Sequence, residues 1–104
     1  MSEELEKLKD DFKNYYSSEY TTDEEDTLEN TRLRENAVSI LANALNSGNA
    51  ELAEQVLCTL SENTGSSEDL AIFEELIKPL IASGLITNAQ VDIVVNAKAV
   101  TRWK

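Results

Sequence analysis

The sequence predicts an all-α fold, a small bundle of four to five short helices packed antiparallel or orthogonally. Three observations lead there. Apolar residues recur at three- and four-residue spacings along most of the 104-residue chain. Three glycines, Gly48, Gly65 and Gly84, punctuate those patterns 17 and 19 residues apart. A composition of 41% hydrophobic and 28% charged residues suits one small folded domain rather than a disordered chain or two separate cores.

From the N-terminus, Ser2 to about Tyr16 places Leu5, Leu8, Phe12 and Tyr15 at spacings of 3, 4 and 3, the seam of a short amphipathic helix. It is too short to stand alone in water, so it must dock on the body, pair with another copy or fray. Ser17 to Asp26 is polar and ends in Asp23-Glu24-Glu25-Asp26, which reads as a solvated linker. The chain therefore divides into residues 1–26, an amphipathic helix with its acidic linker, and residues 27–104, a helical core domain.

Within that core, Thr27 to Asn46 carries Val38, Leu41 and Leu45 on one stripe, flanked by Ala37, Ile40 and Ala44. Asn49 caps the next helix, whose stripe is Leu52, Ala53, Val56, Leu57 and Leu60, and the short link through Gly48 folds the two into an antiparallel pair. Ser66 or Ser67 caps a third core helix with Leu70, Phe73, Leu76, Ile77, Leu80 and Ile81 inward, which Pro79 is expected to kink or stop near Ile77. Thr87 and Gln90 stand in capping-box spacing ahead of Val91, Val94 and Val95. The β-branched run 91–95 has strand propensity too, but the cap before it favours helix.

Charge narrows the function classes. Twenty Asp and Glu against nine Lys and Arg leave a formal net charge of −11. The basic character gathers at the end, in Lys98, Arg102 and Lys104. Such a charge repels nucleic acid and anionic membrane surfaces and favours cationic partners. It argues against direct nucleic-acid binding by a single copy, although an oligomer would concentrate the terminal bases into a patch. No apolar run is long enough to cross a membrane and the N-terminus is acidic, so the expected location is cytoplasmic.

Catalytic candidates are few, and chemistry would have to rest on carboxylates, which a core this small leaves little room to set in a concave pocket. There is no His to serve as general base or metal ligand, no phosphate-binding glycine loop and no cysteine cluster. The lone Cys58 follows Leu57 beside an apolar stripe and reads as a buried or half-buried small hydrophobe. The Asp23–Asp26 run lacks the glycine turn and distant Glu of a calcium loop. The sequence accordingly predicts no catalytic, cofactor or metal residue. Arg32 and Arg34 point apart on a helix and are expected to pair locally with Glu29, Glu35 or the acidic linker.

Aromatic placement says more. Phe12, Tyr15, Tyr16 and Tyr20 fall within nine residues beside acidic groups, either sealing the N-terminal helix onto the bundle or forming a partner surface with Asp23, Glu24, Glu25 and Asp26. Trp103, in the basic tail, either docks on a partner or belongs to a frayed terminus.

The stretch from Arg34 to about Leu76 has Arg34-x-Asn36, Ile40-Leu41, Ala44-Leu45, a break at Gly48, and then Ala53-Glu54-Gln55-Val56-Leu57. It resembles the central helical hairpin of tailed-phage small terminase subunits. That resemblance implies a non-catalytic, helical ring oligomer that helps select viral DNA and regulates a large motor subunit. The residues themselves point first to a non-catalytic acidic protein–protein interaction or regulatory protein whose partner has a basic surface. Within that class the charge density leaves two alternatives, a nucleic-acid mimic that inhibits a nucleic-acid-binding partner by presenting carboxylates where phosphates would lie, or acidity that serves solubility alone. Whether it forms a homo-oligomer is open.

Overall fold

No glycine or proline precedes Gly48, and the described residues before it form two helices, α1 (Glu3–Ser17) and α2 (Asp23–Asn46). Two more follow, α3 (Ala50–Glu62) and α4 (Ser67–Ala82). A short α5 covers 88–92 and continues at 94 and 95. This computed structural model describes residues 3–17, 22–64, 67–92 and 94–95, with the side chain of Tyr16 outside that set. Among the described residues there is no strand, and the fold is all-α.

The helix ends have chemical causes. Thr22 starts α2, its side-chain oxygen accepting from the Glu25 N–H at 3.1 Å, and Asn49 starts α3 by accepting from the Leu52 N–H at 3.1 Å. At Gly48 and Gly84, φ is +76°, where a side chain would be strained. There the chain closes α2 and α4 with bonds from Asn49 N–H to the Ala44 carbonyl and from Leu85 N–H to the Leu80 carbonyl. Thr87 and Gln90 form the expected reciprocal box, with Gln90 N–H donating to Thr87 Oγ1 at 3.2 Å and Thr87 N–H to Gln90 Oε1 at 2.9 Å. That box commits the valine run to helix, and Val91 and Val94 are buried.

Helix α2 is the hub, in contact with α1, α3 and α4. Tyr15 near the end of α1 meets Asp26 near the start of α2, so those two helices run antiparallel, as do α2 and α3 across the Ser47–Asn49 turn. Leu5, Leu8 and Phe12 of α1 join Leu33, Val38 and Leu41 of α2, Val56, Leu57 and Leu60 of α3, Phe73 and Ile77 of α4, and Ile86, Val91 and Val94 in one buried cluster. Each such side chain contributes about 1.5–3 kcal/mol when removed from water.

Four expectations change here. The Asp23–Asp26 run is the first turn of α2 rather than a linker, because Thr22 caps it and four carboxylates stabilise the positive end of a helix. The boundary at 26/27 therefore falls inside a helix, and α1 packs in the same core as the rest. Of the kink or stop expected at Pro79, the stop does not occur, since α4 continues to Ala82; Pro79 lies in its last turn, where the bond its own N–H would have made is lost. Ile81 is 36% exposed, placed at the end of α4 just before the Gly84 turn.

Candidate interaction surface

The acidic and aromatic residues singled out from the sequence separate into three groups. Phe12 is fully buried and belongs to the core, not to a partner surface: it lies on the Leu5-Leu8-Phe12 seam that α1 presses against α2. Tyr15 is half-buried, and its phenol donates to the Asp26 carboxylate, so these two fasten α1 to α2. Asp23, Glu24 and Glu25 remain exposed at the start of α2. The Tyr16 side chain, Tyr20, Trp103, Lys98, Arg102 and Lys104 lie outside the described residues.

Arg34 departs furthest from expectation. Instead of pairing on the surface, it is completely buried where α1, α2, α3 and α4 converge. Its Nη2 lies 3.2 Å from Asp69 Oδ2 and donates to the Asn63 carbonyl at 2.6 Å, and its guanidinium sits 5.3 Å from the centre of the Phe12 ring. Asn30, one turn earlier, donates to Asp69 Oδ1 at 2.6 Å. Asp69 is the one buried acid among the described residues and Arg34 the one buried base, so the interior is neutralised in place. The carbonyl of Asn63, which ends α3 and lacks an intrahelical donor, is satisfied by the same side chain.

With that pair spent internally, every other described carboxylate is exposed or half-buried. Few are locally neutralised: Arg32 donates to Glu29, Lys7 to Asp11 at 2.9 Å and Lys78 to Glu75 at 2.7 Å. The Arg32 hydrogen bond holds the Glu29 carboxyl below its ordinary range, against an opposing effect of burial. The Glu75 hydrogen bond raises the Lys78 ammonium in the same way. At the start of α2, Thr27 Oγ1 donates to Glu68 Oε1 at 2.7 Å, bringing a carboxylate of α4 beside those of α2.

Set into this acidic end is Leu28, 72% exposed. Sequence periodicity passed over it because it sits about 140° from Leu41 around the helix axis, off the buried stripe. Cys58 is also exposed rather than buried; it lies one position past Leu57, which turns it into a shallow groove with Lys9, Glu51, Glu54 and Glu62. No three metal-ligating side chains converge among the described residues, and no described helix is long and apolar enough to cross a membrane. No known family, curated protein or solved structure matches the chain. What this surface offers chemically is Coulombic attraction for ammonium and guanidinium groups, with one apolar contact point among the carboxylates.

Proposed function

We propose that this is a non-catalytic, acidic helical regulator that binds a protein partner through that partner's basic surface, acting as an inhibitor where that surface serves to hold nucleic acid. The observation that supports this most is the disposition of charge. The fold consumes Arg34 and Asp69 inside, and it leaves the remaining excess of carboxylates facing solvent, densest where α2 begins. A field of one sign speeds encounter with a partner of the opposite sign and discourages nucleic acid and anionic lipid.

The test takes a basic protein recovered on the immobilised chain and measures its association rate at low and high ionic strength, with duplex DNA as competitor. The reading predicts an association rate that falls steeply with salt and, for a nucleic-acid-binding partner, mutual exclusion with DNA. An on-rate indifferent to salt contradicts it. A closed multimer that itself retains DNA would turn the interpretation to the DNA-packaging role that the terminase resemblance implies.

A further inference from the structure

Among the described residues Leu28 is the one large apolar side chain that stands well clear of the core, twice as exposed as Ile81, the next. Its setting gives that exposure meaning. The shallow depression around it is lined by Asp23, Glu24, Thr27 and Thr31. Both threonine hydroxyls are already donated, Thr27 to Glu68 Oε1 and Thr31 to the Thr27 carbonyl at 2.8 Å. Neither hydroxyl proton is left to water. Toward the start of α2 stand the carboxylates of Asp23 and Glu24, with Glu68 alongside on α4, and one turn further on lies Arg32, paired with Glu29. An apolar contact point bordered by charged groups follows the anatomy of a protein interface.

The charge also selects the occupant. A second copy of this chain would bring the same −11 charge and the same carboxylates to the contact, and an anionic membrane would be repelled likewise. Nucleic acid is excluded on the same ground. We propose that the outer face of α2 over residues 23–31 is a docking surface for a basic amphipathic helix of a protein partner, with Leu28 as the apolar anchor and Asp23 and Glu24, about one turn nearer the start of the helix, receiving Lys or Arg side chains. A helix suits this strip, which is itself about two turns long and lies on one side of α2, so apolar residues of the partner three or four apart can straddle Leu28. This rests on the basic-partner reading and adds to it a location and the shape of what binds there.

Two helical peptides of equal positive charge serve as probes, one with Lys residues flanking a Leu stripe and the other with Ala in place of every Leu. The full chain is titrated with each at low salt, and amide shifts are followed in parallel. The Leu-striped peptide should bind more tightly, moving the amides of residues 23–31, and Leu28→Ala should weaken it by about tenfold while leaving the Ala peptide unchanged. Leu28 is exposed, so an unaltered unfolding midpoint will show that the variant folds. Equal affinity of parent and Leu28→Ala for the Leu-striped peptide overturns the docking surface and leaves the basic-partner reading standing. Failure of the parent to bind either peptide overturns both.

Discussion

Leu28 and Arg34 lie six residues apart on α2, about 120° apart around its axis, and each occupies the place that polarity alone would give the other. Arg34 is sealed among four helices, while Leu28 faces water. The difference lies in their partners. Arg34 finds Asp69, the end carbonyl of α3 and an aromatic face, which together offset the cost of taking its charge out of water. Leu28 lies outside the buried cluster, 72% exposed, with the carboxylates of Asp23 and Glu24 beside it. One exception to the hydrophobic pattern therefore ties the fold together, and the other is left for something outside it.

The sharpest way to break this contrast is to remove Arg34. Arg34→Ala strands the Asp69 carboxylate in the interior and withdraws the group packed on Phe12, so it should cost about 3–5 kcal/mol in denaturant unfolding, a large share of a small domain's stability. Replacing both charges with apolar residues, Arg34→Met with Asp69→Leu, should recover much of that loss, since no buried charge is left unpaired. If the double variant is as unstable as the single one, the network acts through its shape and its hydrogen bonds to Asn30 and the Asn63 carbonyl rather than through charge.

A smaller effect is expected where α1 meets the acidic end. Tyr15→Phe keeps the ring and removes its hydroxyl from Asp26, which should cost about 1.5 kcal/mol and raise amide exchange in α1 ahead of α3. Uniform exchange across both helices would show that the Tyr15–Asp26 contact does not hold α1 in particular.

The smallest concerns the surface pair. Glu29 has its carboxyl lowered by Arg32, so the stability it supplies is present above the unfolded value and is lost as pH falls through the folded one. Arg32→Ala should thus reduce stability by about 0.3 kcal/mol at neutral pH, solvent screening keeping it small, and the gap from the parent should close as pH falls through the lowered folded value of Glu29. A gap that persists at lower pH would assign Arg32 some role other than charge.

Much of the fold was legible in the chain. The glycines at 48 and 84, the Asn49 cap and the Thr87-Gln90 box all act locally, and local chemistry survives folding unchanged. Leu5, Leu8 and Phe12 were readable as a seam, but what they press against depends on tertiary packing. The missed residues share a cause. Arg34 lies a full heptad before Leu41, directly on the buried stripe with Asn30 behind it, and Asp69 lies one turn before Phe73 in the same way. A polar residue on an apolar stripe looks like an interruption until its partner, 35 residues further on, is known to face it. Asp23 to Asp26 looked like a linker because acidity suits both a solvated loop and the first turn of a helix. Leu28 fell off every stripe, and an isolated leucine carries no periodic signal; only its exposure among carboxylates marks it.

The most direct test of the contrast is urea unfolding of Leu28→Ala and Arg34→Ala beside the parent. The account predicts a midpoint for Leu28→Ala within error of the parent, and one for Arg34→Ala lowered by the equivalent of several kcal/mol. If Leu28→Ala destabilises the chain as much as Arg34→Ala does, Leu28 is part of the core and the division between an inward lock and an outward anchor is wrong.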